Sequence, residues 1–506
     1  MQKLLLSFAL LFFIYSCSDH RLDPSINENP ANFTEIGSID IGDIGAAEIS
    51  AYDPVTGRLF VVNNFVSNTN PVNKIDVIDM SNPSAMKVIA SISMAPYGGA
   101  VNSLSVYNGK LAAAIESLNK QENGKVAVFN TIDYKELKVI TVGALPDMIT
   151  FSPDGRFIIT ANEGEPNDAY TIDPVGSVSI ISVEDNYSVV TLDFASFAPQ
   201  QAALMAKGLR IFGPTSNPDF ARNIEPEYVT VSDDSKTAWV TLQENNAIAK
   251  INLTSKSVTA IFPLGFKDYN LDINAIDISD QDNAIALKKW PAFGMYQPDG
   301  ISVFEAGGVP YLFTANEGDA REYTGFTEMR RVSSNATVLD PVIFPNAATL
   351  KLPAQMGRLN HTITLGNTDA DPDFEAIYSL GARSFSVWNG NDGSLVFDSK
   401  NDLEQRCISA GVYDDGRSDD KGVEPEGIAL GQVGGRKIAF VGMERSDAVG
   451  IYDVSNPTAP VFLQLVKCGD APEGVLFIPA NNSPIQKSLL IVSSENDGVV
   501  KVYRPQ

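Results

Sequence analysis

The amino-acid sequence predicts an all-β protein: a seven-bladed β-propeller with long insertions and its ring closed by an N-terminal strand. Three observations predict it. A paired-strand pattern recurs seven times, each copy is followed by a third alternating strand, and the last copy lacks a strand while the chain opens with an orphan one. Four short strands per unit, repeated around a circle, are the sequence signature of propeller blades.

The recurring pattern is a Pro-acidic turn, an apolar run, a Gly/Asp/Asn turn, and a second apolar run ending in a polar-acidic tip. Full copies are LPDMITFSPDGRFIITANEGE (145–165), EPEYVTVSDDSKTAWVTLQEN (225–245), QPDGISVFEAGGVPYLFTANEGD (297–319), EPEGIALGQVGGRKIAFVGMERSD (424–447) and APEGVLFIPANNSPIQKSLLIVSSEND (471–497). Weaker copies begin at Gly45 and Gly98. The third strands read KIDVIDM, KVAVFN, SVSIISV, AIAKINL, SFSVWNG, AVGIYDV and VVKVYRP. Their period-2 alternation between turn residues is the half-buried strand signal. The last unit stops at Tyr503, and FTEIGSIDIG (33–42) stands alone. Adding that orphan strand to the last blade would remove both exposed edges.

Spacing of about 70 residues per unit exceeds the ~40–50 of lean propeller repeats. The excess falls at 185–222, 256–296, 319–372 and 400–423, and these insertions are expected to build one face. SFAPQQAALMAKGL predicts a helix with Ser196 as N-cap, Pro199 in its first turn and Gly208 at its end.

Ahead of the repeats, Lys3 and the apolar run Leu4–Ile14 read as a signal peptide over residues 1–16, too short to span a bilayer. Ile14-Tyr15-Ser16-Cys17 resembles a lipobox, so Cys17 is the expected lipidation site and the membrane the expected partner. Residues 17–32 read as a lipidated Cys and flexible tether, and residues 33–506 as the propeller. The expected location is therefore an exported lipoprotein at the outer membrane or cell surface. Export permits a disulfide between Cys407 and Cys468 without requiring one.

With 62 acidic against 37 basic residues and a net charge of −25, the chain excludes a nucleic-acid partner, which demands a basic face. Only His20 and His361 exist, so a His-rich zinc or copper centre and a Ser-His-Asp triad are also excluded.

Where the repeats align, carboxylates recur. First-strand entrances carry Asp147, Glu227, Asp299, Glu426 and Glu473, with Glu48. Second-strand tips carry Glu163, Glu244, Glu317, Glu444 and Glu495, with Glu116. Paired strands run antiparallel, so both sets are expected at one mouth of the channel. Asp419, Asp420 and Glu424 join this ligand-binding set, and Arg321, Arg383, Arg417, Lys421 and Arg445 supply nearby cations. Two readings stay open: the carboxylates cap backbone amides, or they bind a divalent cation or a small cation-bridged anion. Separately, NTDADPDFE places Asp369, Asp371, Asp373 and Glu375 at alternate positions like a calcium loop. Phe374 and Leu380 occupy the Gly and bidentate Glu positions of an EF-hand, so only a looser calcium loop is expected.

TANEGDAREY (314–323), LGARSFSVW (380–388) and DDGRSDDKGVEPEG (414–427) together resemble the choice-of-anchor I family, from about residue 36 to the C-terminus. That resemblance implies a propeller of the YVTN/quinoprotein/WD40-like kind attached to a surface by a variable anchor, with relatives linked to calcium biomineral deposition and some labelled alkaline phosphatase. The family's run is closer to D-D-R-S-D-D-K-G-P-E-P-E-G; here Gly416 is inserted and Val423 replaces a Pro. The resulting expectation is a lipid-anchored surface propeller that binds calcium, or a calcium-bridged ligand, without catalysis. Two alternatives stay open. One is a calcium-dependent, phytase-like phosphoester hydrolase whose Arg383, Arg321 or Lys421 holds phosphate. The other is a protein-interaction scaffold.

Overall fold

The computed structural model describes residues 27–65, 73–215, 218–369 and 371–506. Cys17 and the predicted signal peptide lie outside them. The protein is all-β, with seven four-stranded antiparallel sheets among the described residues. Six are contiguous in sequence except for insertions; the seventh joins Pro472–Ile478, Leu489–Ser494 and Val499–Pro505 to the N-terminal strand Phe33–Asp40. Phe33 pairs with Pro505 and Asp40 with Val499, as expected of the orphan strand. No sheet closes on itself among the described residues.

The burial of the middle strands explains their continuous apolar sequences. In sheet one, Leu59 and Val61 face a core shared with Leu489, Ile491 and Val500 of sheet seven. Phe60 and Val62 face the core shared with Leu104 and Leu111 of sheet two. Side chains alternate across a strand, so a strand sandwiched between two sheets is apolar at every position. The same division recurs in sheet three, where Ile158 packs toward sheet two and Ile159 toward sheet four. The first strand of each sheet touches the first strand of the next, and Pro472–Ile478 of sheet seven touches Ala46–Asp53 of sheet one.

Two insertions condense into one lobe. Tyr269, Ile276, Trp290, Val332, Phe344, Met356 and Phe374 share a core separate from the sheets. His361 is buried there, its Nε2 2.9 Å from Thr337 Oγ1 and its ring edge-on to Phe374. The expected long helix is instead a 3-10 segment, Ala195–Gln200, followed by a short α-helix, Gln201–Met205. Ser196 caps neither, because Pro199 falls inside the 3-10 turn and leaves only five residues for the α-helix. Gly208 does end the element, at φ +108°.

The tether boundary also moves. Residues 28–32 are tied to the sheets: Glu28 is 4% exposed, its Oε1 accepts from the Ser488 N–H, and the Asn29 N–H donates to the Gln506 carbonyl. Cys407 and Cys468 are both free thiols, so no bridge joins them. Among the described residues no helix is long and apolar enough to cross a membrane.

Candidate functional site: an acidic mouth

The site is built by a defect repeated in the first strands. The ladder slips by a β-bulge between Ala46 and Ser50, Val101 and Ser103, Pro146 and Met148, Pro425 and Ile428, and Pro472 and Gly474. A bulge re-aims the extra residue out of the normal alternation. The residues so placed include Glu48, Asn102, Asp147, Glu426 and Glu473. In sheets four and five, Glu227 and Asp299 take the matching place just ahead of the strand, their N–H groups donating to Thr241 and Ala315 at 3.1 Å. The residues before four of the five motif prolines, Leu145, Gln297, Glu424 and Ala471, hold φ between 42° and 56°. L-residues adopt that region at a cost of about 1–3 kcal/mol each, and such strain gathers at functional sites.

The glycine ending the Pro-acid-Gly triplet has a steric reason. A Cβ on Gly300 or Gly427 would fall 2.5 Å from the carbonyl oxygen of Glu426 or Glu473 in the adjoining sheet. Gly474 meets the Glu48 carbonyl in the same way. Only a bare backbone lets successive first strands approach this closely. Met148 and Tyr228 stand where the other copies have Gly, and both line the cavity that results.

That cavity has a volume of about 260 Å³ and is lined by Asp147, Glu227, Asp299, Glu317, Asp319, Glu426 and Glu473, with Asn102, Gln243 and Tyr228. Glu227, Asp299, Glu317, Glu426 and Glu473 are thus brought together as expected. Asp319, Gln243 and Tyr228 were missed; Asp319 carried a signal, as the second acid of the Glu-Gly-Asp tip. The tip of sheet four is corrected by one residue: strand register puts Gln243, not Glu244, at the position of Glu163 and Glu317. Gln243 donates to Glu317 Oε2 at 3.0 Å, and Glu244 beside it is also buried, 4% exposed. Ligand oxygens of Glu163, Glu227 and Glu244 lie within 4.8 Å of one another, as do those of Asp299, Glu317 and Glu426, and of Glu317, Glu424 and Glu444.

Burial raises these carboxyls, and their neighbours raise them further. Glu227 is pushed well above the carboxylate range by burial and then by Glu244, Glu426 by burial and Glu317, and Glu473 by burial and Glu48. Burial and repulsion from Glu165 move Asp147 to about 6, and burial and repulsion from Glu495 move Glu48 to about 8. Burial leads again at Asp319 and Glu444, both raised to about 7. One Oε2 of each of Glu227, Glu244 and Glu426 is buried without a hydrogen-bond partner. Clustered buried carboxylates without partners are costly unless a cation or proton joins them.

The predicted cations are already committed. Arg321 is 1% exposed: it pairs with Glu225 Oε2 at 2.5 Å, donates to the Phe212 and Asn223 carbonyls, and lies over the Phe212 ring. Arg383 is fully buried, pairing with Glu404 and donating to the carbonyls of Asp277, Ser418 and Asp420. Neither lines the mouth, which corrects the expectation that they hold an anion. Asp419 and Asp420 are corrected too. Asp419 pairs with Arg331 and Arg358, and Asp420 with Arg417 and Asn360, so both clamp the 414–421 loop to the insertion lobe. Glu424 is buried beneath Arg417, Lys421 and Arg445. Of these predicted cations, Lys421 reaches a carboxylate lining the cavity, 2.6 Å from Glu317 Oε1.

Outside the mouth, Asp369, Asp371 and Glu375 gather their oxygens within 4.8 Å, and so do Asp340, Asp373 and Glu375. Glu375 Oε2 accepts from Thr368, and Asp369 and Asp371 accept from backbone N–H groups two residues on. Every donor in both places is oxygen, the set that hard divalent cations take.

The family model described as the choice-of-anchor I domain matches residues 48–457. A mesenchyme-specific cell surface glycoprotein of Strongylocentrotus purpuratus is 26% identical over 334 residues, covering 56% of this chain and 43% of its own. Gigasin-3a of Magallana gigas is 27% identical over 184 residues, covering 30% of this chain and 64% of its own. The chain therefore matches less than two thirds of either relative's length. Among solved structures, the β-propeller domain of Cps50 (Swd1) from Myceliophteria thermophila aligns over 94% of this chain and all of its own, at 8% identity and a TM-score of 0.47. Kuenenia stuttgartiensis hydrazine synthase aligns over 92% of this chain and 97% of its own, at 13% identity and a TM-score of 0.45.

Proposed function

The chain belongs to the choice-of-anchor I domain family, and from that premise we propose a non-catalytic cell-surface protein that takes up calcium, or a calcium-bridged ligand, at an acidic mouth. One observation carries the reading: seven carboxylates from five sheets converge on one cavity of about 260 Å³. Buried oxygens there lack partners. On this reading the seven sheets are the blades of a propeller, and the contact of sheet seven with sheet one, sharing a core, supports a closed circuit. The Asp369–Glu375 loop is a second, more exposed calcium position, and Cys17 is the lipidated anchor.

The hydrolase alternative is disfavoured because two of its three expected phosphate holders, Arg321 and Arg383, are buried in other ion pairs, and the third, Lys421, is paired with Glu317 and Glu424. Thermal unfolding of the full chain, with and without millimolar calcium, tests the binding, and turnover of nitrophenyl phosphate and phytate is assayed alongside. The expected result is stabilisation by calcium with no turnover. Calcium-dependent turnover would transfer the assignment to the hydrolase, and an unchanged transition would remove calcium from both. Incorporation of a clickable palmitate that is lost in Cys17→Ala tests the anchor.

A further inference from the structure

The carboxylates of the mouth divide into two sectors that differ in one respect. The sector made by Asp299, Glu317 and Glu426 contains its own cation. Lys421 Nζ lies 2.6 Å from Glu317 Oε1 and 3.3 Å from Glu424 Oε2, on a side chain only 13% exposed. Arg445 pairs with Glu444 at 2.9 Å beside it. The sector made by Glu163, Glu227 and Glu244 has no such partner: among the described residues no Lys or Arg makes an ion pair with any of the three, and Lys120, whose charge reaches Glu163, pairs instead with Glu116 at 3.5 Å. Glu163 and Glu244 are 91% and 96% buried, taking exposures of 9% and 4% from whole. Glu244 Oε2 and Glu227 Oε2 are shielded from water and accept no hydrogen bond. Arg321 is held on Glu225 and two carbonyls, and Arg210, which donates to the Glu244 carbonyl, pairs with Glu328.

Resting on the calcium reading above, we propose that one divalent cation of calcium's size is held by Glu163, Glu227 and Glu244, and that Lys421 is a built-in counter-ion that keeps the opposite sector from holding a second. The donor set fits the ion. Calcium takes about six to eight oxygens, with carboxylates mono- or bidentate, whereas magnesium is usually held by only one or two carboxylates and keeps several waters. The three carboxylates lie within 4.8 Å of one another and can supply up to six oxygens if bidentate. Lys421 sets the stoichiometry because its ammonium, tethered at the end of the 414–421 loop, competes for Glu317 at a high local concentration.

The test is calorimetric titration of calcium into the full chain carrying Asp371→Asn and Asp373→Asn, which removes the exposed loop as a second source of heat. One site is expected. Glu244→Gln, which keeps the shape and relieves repulsion, should weaken it at least tenfold with an unchanged near-ultraviolet circular dichroism spectrum. Lys421→Met should raise the stoichiometry from one to two. If Glu244→Gln leaves the affinity unchanged while Glu426→Gln abolishes binding, the ion belongs to the other sector and the assignment is overturned. If Lys421→Met leaves one site, the counter-ion role is overturned. Silence in the parent protein would instead overturn calcium binding at the mouth altogether.

Discussion

Arg321 shows what a single residue's neighbourhood conceals from the sequence. TANEGDAREY places it beside Glu317 and Asp319, so it reads as a mouth cation; its true partner, Glu225, is 96 residues away and no local pattern joins them. Because the pair is buried, Arg321→Met leaves Glu225 ionisable and alone, and should cost about 3–5 kcal/mol in urea unfolding. The double variant Arg321→Met with Glu225→Gln should recover part of that loss. The Pro-acid-Gly triplet, in contrast, was legible as a repeat, although its cause was not. The carbonyl of the next sheet fills the space beside each Gly, and Gly427→Ala should therefore destabilise by about 1–3 kcal/mol, read from the same unfolding midpoint.

At the scale of elements, legibility followed length. Strands of six or more residues with a clear apolar run or alternation, such as Arg58–Asn63 and Ala448–Asp453, stand where the pattern put them. Strands of the insertion lobe are two or three residues long, as at Asp373–Phe374 and Tyr378–Ser379, too short for any periodicity to register. The bulges were equally invisible, since one extra residue leaves composition untouched. The orphan strand carries its own prediction. Deleting residues 27–40 bares the edge Val499–Pro505, and an unpaired edge recruits another chain. The truncated protein should melt at lower temperature and elute as dimers or larger species in size-exclusion chromatography, while the full chain keeps its elution volume.

For the whole molecule, the acidic mouth makes stability depend on pH in an unusual direction. Asp147, Asp319, Glu444 and Glu48 have folded-state values of about 6, 7, 7 and 8, all above their unfolded ones. The stability they contribute is full below about pH 4 and is lost as pH rises through 6 to 8. The cation-free protein should therefore melt progressively lower between pH 5 and pH 8. Added calcium should reverse most of that slope, and a chelator should restore it. A melting temperature flat across this range in both conditions would mean the carboxylates are already neutralised. The all-β class and the convergence of carboxylates were legible because both follow from the repeat. The sectoring of the mouth was not, because it depends on where one lysine from a distant loop comes to rest.

The pairing of Phe33–Asp40 with Val499–Pro505 also gives the molecule a handle. The carboxylates lie where Pro472 begins its strand and Ser494 ends the next, while Phe33 and Pro505 meet at the other end of the same sheet. Glu28 packs there against the Gly434 turn of sheet six, so the described chain enters and leaves on the side away from the opening. A bead, a chip surface or a fusion partner joined directly ahead of residue 28 or after Gln506 is thus held behind the molecule, with the opening directed outward into the medium it samples.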